Sequence, residues 1–368
     1  MKVCIAIEKF DPAVGGAERY CWDLAHYLED KGHSVAVICM QACDFLNSAI
    51  TVRRIRPLRF PQGLRHLSFA LLHRRVARGM PDYIHFCVGN TFFMDIYQPH
   101  GGVHKAWFER DSLRTAPSLR PWLTLIKRLG LKDMVQRGLE WWTFRVTRPR
   151  VIAISQMVAN DIRNLFGYPS ERIRLIPNGI DQVKFSPDKQ VKRREVRSRF
   201  GLNDGDFVFV FVANNLALKG YGVLLEACLR IEPRNFKVLV IGPAARKDQA
   251  KAQPLGGTIV FGGRAADLEY IYPACDCLVH PSYYDACSLV VLEALASGIP
   301  VITTTANGAG MFVGAGGRVI PPADPAALAQ AMREVCAGKV VFNQAPVFKN
   351  QDAVFAEVEA FMLPGGKP

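Results

Sequence analysis

Along the chain, short unbroken apolar runs alternate with stretches in which apolar residues recur every third or fourth position. Lys2 to Ile7 is an apolar run that predicts a strand, and Ala17, Cys21, Leu24, Ala25 and Leu28 share one face of a predicted helix. Gly32 ends that helix before a second run at Val35 to Met40. Strands that are apolar throughout and separated by helices imply a parallel sheet covered on both faces. The loop from Glu8 to Gly16 lies where such sheets place their ligands. From Pro57 to Arg150 the pattern is irregular and mostly helical. Alternation resumes with strands at Val151 to Ile154 and Ile173 to Ile176 around a helix near Met157 to Phe166.

After Pro177-Asn-Gly179, a polar, basic connector from Asp181 to Asp206 reads as a domain linker. Beyond it, strands are predicted at Phe207 to Val212, Lys237 to Ile241, Thr258 to Phe261, Cys277 to His280 and Pro300 to Thr304. Helices are predicted near Tyr221 to Ile231, Ala265 to Ala274, Ser288 to Ser297 and Pro325 to Cys336, the last opened by Asp324 and Pro325. The expected fold class is α/β with two Rossmann-like domains, and a length of 368 residues suits two cores rather than one. The first would span 1–180, with a basic, tryptophan-rich insertion at 104–150, and the second 181–345. A helix within 346–368 would return to the first domain. Two such domains face to face would put their ligand loops around one cleft.

Composition narrows the class. The apolar run at the start is too short for a secretory signal, and the longest uncharged run, Ala294 to Gly317, is too rich in Gly, Thr, Ser and Asn to span a bilayer. Ten scattered cysteines without a CxxC pair suit reduced packing residues of a cytoplasmic protein, and no metal site is expected. No GxGxxG follows a strand and there is no GxxxxGK[ST], which argues against a dinucleotide dehydrogenase and a P-loop enzyme. Asp204-Gly-Asp206 precedes a strand and reads as an ordinary turn.

The net charge of +13 is uneven. Eight arginines and no acid lie between Phe45 and Pro81. Between His104 and Arg150 there are eleven Lys or Arg against four acids, with Trp107, Trp122, Trp141 and Trp142 among them. Cations interleaved with indoles suit the interface of an anionic bilayer. Nucleic acid is the rival partner, and a solvated helical face is the bland reading.

The chemistry concentrates in His280 to Gly298, HPSYYDACSLVVLEALASG. From Ser288 it reads as a helix start, with the serine side chain available to cap. The amides of Cys287 to Val290 would point out of that start, where free N–H groups and the helix dipole favour an anion such as phosphate. Lys219, in Asn214-Asn-Leu-Ala-Leu-Lys-Gly220, is placed to neutralise the same anion. Glu293 is the only polar side chain in LVVLEALA and needs a hydrogen-bond donor, either a vicinal diol such as a ribose or an arginine.

HPSYYDACSLVVLEALASG followed by PVITT resembles the E-x7-E signature of retaining glycosyltransferase family 4, with Asp285 where the first glutamate usually stands. Pro12-Ala-Val-Gly15-Gly16-Ala-Glu18 is similar to that family's amino-terminal glycine loop, and Ala153-Ile-Ser155 and Pro177-Asn-Gly-Ile-Asp181 to its hinge motifs. Gly262-Gly-Arg264 is similar to its base-proximal loop. The Tyr-Tyr-Asp-Ala lead-in looks most like the lipopolysaccharide core glucosyltransferase I group. The resemblance implies the GT-B fold and transfer of a hexose, glucose favoured, from a UDP-sugar to a glycolipid acceptor with retention, without metal or other cofactor. It implies work at the cytoplasmic face of an inner membrane. It also implies that Glu293 binds the ribose, Asp285 the sugar hydroxyls, and the backbone of Ala286, Cys287, Ser288 and Leu289 the sugar and diphosphate. Gly15 and Gly16 would close over the phosphate, and His100, in Gln98-Pro-His100-Gly-Gly102, would stand beside the reacting sugar. The family commonly carries an arginine about five residues before its lysine. Here Asn214 and Asn215 occupy that region, so that Lys219 carries more of the charge, or Arg264 or another arginine substitutes. A nucleotide-sugar epimerase on the same fold, or a non-catalytic nucleotide-sugar or nucleic-acid binder, are the rival readings.

Overall fold

The computed structural model describes residues 1–43, 48–58, 60–340, 342 and 345–363. Phe45 and Arg59 of the arginine-rich run, and the end of the predicted C-terminal segment, lie outside the described residues. The chain divides into two units, Met1–Asn178 with the segment from Asp352, and Gly179–Gln351.

In the first unit the chain runs β1 (Lys2–Ala6), β2 (Lys9–Phe10), α1 (Gly16–Asp30), β3 (Ser34–Cys39), β4 (Gln41–Ala42), β5 (Thr51–Arg54) and α2 (Gln62–Arg78). It continues through β6 (Ile84–Cys87), β7 (Ile96–Tyr97), α3 (His104–Asp111), α4 (Arg120–Leu129), α5 (Leu131–Trp142), β8 (Arg150–Ala153), α6 (Gln156–Phe166) and β9 (Ile173–Leu175). Seven strands form one parallel sheet in the order β5-β3-β1-β6-β7-β8-β9. Because side chains alternate along a strand, Val3 and Ile5 pack with α1 on one face while Cys4 packs with Phe69 and Ala77 of α2 on the other.

The second unit contains α7 (Arg193–Arg199), β10 (Val208–Val212), α8 (Tyr221–Leu229), β11 (Lys237–Ile241), α9 (Arg246–Ala252), β12 (Ile259–Gly263) and α10 (Leu268–Ala274). Then follow β13 (Cys277–His280), α11 (Leu289–Ala296), β14 (Val301–Thr304), β15 (Gly317–Ile320) and α12 (Pro325–Cys336). Its six-stranded sheet is also parallel, in the order β12-β11-β10-β13-β14-β15. All five residues of β10 are buried, as its continuous apolar run requires in the middle of such a sheet.

The last helix, α13 (Gln351–Met362), buries Val354, Phe355, Val358, Phe361 and Met362 in the core of the first unit. Five such side chains are worth on the order of 10 kcal/mol before the entropy of ordering them. Glu359 orients the helix by accepting from Tyr27 at 3.1 Å and meeting His33 Nε2 at 2.7 Å.

Several elements depart from expectation. The irregular region holds β6 and β7 besides its helices, the connector holds α7, and β5 and β15 arise at sheet edges where no apolar run predicts them. α4 has no buried residue and exposes Trp122, Ile126 and Leu129, spaced i, i+4, i+7 on one face. α5 is drawn against α2 at Gly63, where a Cβ would lie 2.9 Å from the Leu131 carbonyl oxygen. Of the four tryptophans in the basic region only Trp122 and Trp141 are exposed, while Trp142 packs edge-on against Phe92 and Trp107 stacks near His104.

Candidate active site

In each sheet the chain leaves one strand in one direction and its neighbour in the other, and the loops at the carboxyl ends of those two strands open a crevice suited to ligands. In the second unit the reversal falls between β10 and β13. Lys219 lies in the loop after β10 and Asp285 in the loop after β13, so the topology brings them together across 66 residues of sequence. Gly220 makes the approach possible. Its φ is +84°, and a Cβ there would stand 2.0 Å from the carbonyl oxygen of Pro281.

The Lys219 ammonium forms an ion pair with Asp285 Oδ2, and the fully buried His280 places Nε2 at 3.5 Å from the same oxygen. Burial alone would raise the Asp285 pKa, but the Lys219 charge and the His280 hydrogen bond reverse it and hold the carboxyl well below its usual range. Burial lowers the His280 pKa. Lys219 and Asp285, expected to serve phosphate and sugar separately, are thus partners of each other.

Ser288 is the N-cap residue of α11, yet its side chain makes no cap bond and lies instead 3.4 Å from His280 Nε2. Its N–H donates to Asn307 Oδ1 at 3.4 Å, so the expected row of free amides from Cys287 to Val290 is interrupted. Asn307 also accepts from Ala309 N–H and donates to Thr303 Oγ1. Asp285 N–H donates to the Ala306 carbonyl at 2.9 Å and the Gly308 N–H to the Asp285 carbonyl at 2.8 Å. Asn307 and its neighbours therefore fix the stretch that carries Asp285, Ala286, Cys287 and Ser288, with Leu289 opening the helix.

Glu293 finds its donor in Tyr272 of α10, whose hydroxyl donates to Oε2 at 2.8 Å. The partner is a neutral phenol and not an arginine. Burial raises the Glu293 pKa and nearby Glu269 adds to this, against the Tyr272 bond and the charge of Lys184, and the net shift is upward. Asn214 and Arg264 are both exposed, one in the loop after β10 and the other just past β12. Asn215 shapes the first of these loops by accepting from Leu218 N–H at 3.2 Å.

In the first unit the reversal falls between β1 and β6, and a cavity of about 500 Å³ opens there. Glu8, His66, Asn90, Trp107, Lys132 and Gln136 are among its lining residues. Glu8 meets His66 Nδ1 at 2.6 Å and Arg65 at 3.3 Å. Burial would raise its pKa, but the bond and charge of His66 with the charges of Arg65 and Lys9 bring it below the usual value. Gly15 is the N-cap of α1 and Gly16 its first residue, with Glu18 in the first turn also lining the cavity. Gly101 and Gly102 line it too, while His100 beside them packs 4.2 Å from the ring of Tyr20. Its Nε2 is buried without a hydrogen-bond partner, and burial pushes its pKa down to about 4, so the ring is neutral at physiological pH.

Sequence reasoning did not identify Tyr272, His280, Asn307 or the Glu8–His66 pair. A lone acid in an apolar helix signals that a donor must exist but not which residue supplies it, and Glu8 was legible only as part of a loop at a strand end. Among the described residues there is no cluster of three or more His, Cys, Asp or Glu able to hold a metal ion.

Residues 206–337 match the family described as Glycosyl transferases group 1, and residues 14–184 match Glycosyltransferase Family 4. The chain is 26% identical to an uncharacterized glycosyltransferase, MJ1607, of Methanocaldococcus jannaschii over 84% of this chain and 81% of that protein. It is 29% identical to the lipopolysaccharide glucosyltransferase WaaG of Escherichia coli over 42% of this chain and 43% of that one. A crystal structure of WaaG, a glycosyltransferase involved in lipopolysaccharide biosynthesis, superposes with a TM-score of 0.77 at 19% identity, covering 98% of this chain and 95% of that one. With each of its parallel-sheet units matched in this way, the chain is a glycosyltransferase of the GT-B fold, similar to family 4 over residues 14–184 and to group 1 over residues 206–337.

Proposed function

We propose that this glycosyltransferase moves a hexose, with glucose favoured, from a UDP-sugar to a glycolipid acceptor of the lipopolysaccharide-core kind, with retention of anomeric configuration. The observation that carries the reading is the Lys219–Asp285 pair at the reversal of the second sheet, with Glu293 on the helix that starts beside it. The resemblance to family 4 supports the donor class, and the similarity to the lipopolysaccharide glucosyltransferase of E. coli supports glucose and the acceptor class. Asp285, held ionised, accepts hydrogen bonds from sugar hydroxyls. Lys219 and the start of α11 stabilise the negative charge that grows on the departing diphosphate, so the reading needs no metal. The bond from the anomeric carbon to the phosphate oxygen breaks, and a bond to the acceptor oxygen forms on the same face. The acceptor proton passes to the phosphate oxygen that leaves. In the first unit, Glu8, Trp107 and Gln136 give the cavity an aromatic face and hydroxyl-binding groups suited to an acceptor sugar. An epimerase and a non-catalytic binder are not favoured, since both family matches are to transferases. Lys219→Ala should lower turnover about 10²- to 10³-fold, the usual size for losing one group that stabilises developing negative charge. Unchanged turnover of every tested nucleotide sugar would overturn the reading.

The same proposal has the protein act as a peripheral protein at the cytoplasmic face of an inner membrane. No described helix is long and apolar enough to cross a bilayer. The apolar face of α4, with Arg120, Lys127 and Arg128 on the same helix and exposed Trp141 on α5, supports contact with an anionic surface, where each cation gains about 1 kcal/mol. Trp122→Ser with Trp141→Ser should reduce cosedimentation with anionic vesicles about tenfold or more, each exposed indole being worth on the order of 1 kcal/mol at the interface. Retention of full binding would remove the membrane from the proposal.

A further inference from the structure

We infer that Tyr272 is a positioning residue that makes Glu293 a reader of the vicinal ribose diol, and so sets the preference for ribonucleotide over deoxyribonucleotide donors. This rests on the proposed role of Glu293 as the ribose-binding residue.

Tyr272 is fully buried on α10 among Ile271, Pro273 and Ala274, with its ring 6.1 Å from that of Phe185. A phenol in such a place needs an acceptor for its hydroxyl, and the acceptor is Glu293 Oε2 at 2.8 Å. The bond does three things for the carboxylate. It fixes the side-chain rotamer across two helices. It occupies one lone pair of Oε2 only, leaving Oε1 and the rest of Oε2 to accept from two adjacent hydroxyls. Being neutral, the phenol leaves the negative charge available to a ligand, which an arginine would neutralise.

Opposing charges act on Glu293. Facing it are Tyr272 and Glu269 from α10 and Lys184 from the loop that follows Gly179. Glu269, one turn before Tyr272, opposes ionisation, and its own Oε2 is buried without a hydrogen-bond partner. Lys184 and the Tyr272 hydroxyl favour ionisation. Removing that hydroxyl shifts the balance toward the protonated acid, which donates one hydrogen bond and no longer matches a pair of hydroxyl donors. Binding that needs the ionised form is present above the Glu293 pKa and is lost as pH falls through it, so loss of the phenol O–H moves the acid limb to higher pH.

The test is calorimetric titration of the full chain with UDP, GDP and ADP and with their 2′-deoxy analogues, between pH 5 and 8. The wild type is expected to prefer the ribonucleotide. Tyr272→Phe should cut that preference about tenfold, the scale of one hydrogen bond to a charged group, and raise the pH of the acid limb. Glu293→Gln should cut the preference as well. If Glu293→Gln loses the preference while Tyr272→Phe keeps both preference and acid limb, Tyr272 is packing alone and the inference is overturned, with the role of Glu293 intact. If the wild type does not distinguish the sugars, the ribose role of Glu293 falls first and takes the inference with it. Should Tyr272→Phe fail to fold, Glu269→Gln reads the same balance from the other side. It should move the acid limb to lower pH, and an unmoved limb overturns the inference.

Discussion

Glu8 and Glu140 of the first unit divide in the same way as Asp285 and Glu293 of the second. Glu8 in the first unit and Asp285 in the second stand just past a strand end where the sheet order reverses, and each is met by a histidine and a cation. Glu140 and Glu293 lie within helices and take their hydrogen bonds from neutral donors, with Lys105 and Lys184 acting on them through charge without an ion pair. For Glu140 the donors are the first-turn N–H groups of α3, from His104 at 2.6 Å and Lys105 at 3.1 Å, and for Glu293 the Tyr272 hydroxyl. Burial acts to raise the pKa of all four. The directly paired cations and histidines reverse that for Glu8 and Asp285, whereas neutral donors and an unpaired lysine charge only moderate it, leaving Glu293 raised and Glu140 at about 7. The charge of the partner, more than the depth of burial, decides which acids stay ionised. The strand-end acids are therefore fixed acceptors, and the helix acids are the ones able to titrate.

The largest effect should come from breaking the approach that makes the second pair. Gly220→Ala places a Cβ against the Pro281 carbonyl at a positive φ, and should destabilise the second unit by about 3 kcal/mol or more in urea unfolding. A cost below about 1 kcal/mol would mean that the two loops do not lie so close. Next, Asp285→Asn leaves Lys219 without its anion and should reduce turnover about 100-fold, while Glu8→Gln should leave nucleotide affinity within about twofold. Equal losses of nucleotide affinity in both variants would erase the distinction between the two units. The smallest change concerns Glu140. Its folded pKa lies above its ordinary value, so the native state holds a proton that the unfolded chain has released. Stability is then fullest below about 4.5 and declines as pH rises toward about 7. Between pH 5 and 8 the wild type should lose about 2 kcal/mol that Glu140→Gln does not, and parallel stability curves would refute this.

Legibility followed the strength of local pattern. β11, β13 and α12 occur at the residues their apolar runs and caps predict, and Asp324 caps α12 through Ala326 and Ala327 N–H. β7 is two residues long, and β5 is an edge strand whose TVRR is largely exposed, so neither has a period to read. In β6 a histidine interrupts the run, and it is tolerated because His85 bonds to the Met80 carbonyl at 3.1 Å. Ser288 follows the cap pattern by residue type, but His280 lies within reach of its hydroxyl and the backbone amide goes to Asn307. The basic region read correctly as helical, yet composition could not distinguish the exposed Trp122 and Trp141 from the packed Trp142.

The sequence by itself determined the two α/β units, the parallel pairing that follows from strands apolar on both faces, and the glycosyltransferase signature around Asp285 and Glu293. It also required that Glu293 have a donor. Only the tertiary structure decided that the donor is Tyr272, 21 residues away, and that Lys219 and Asp285, 66 residues apart, neutralise each other. Periodicity is set by the geometry of one strand or one helix and is written locally. Which loops meet depends on the order in which strands join the sheet, and that order is settled by packing across the whole unit.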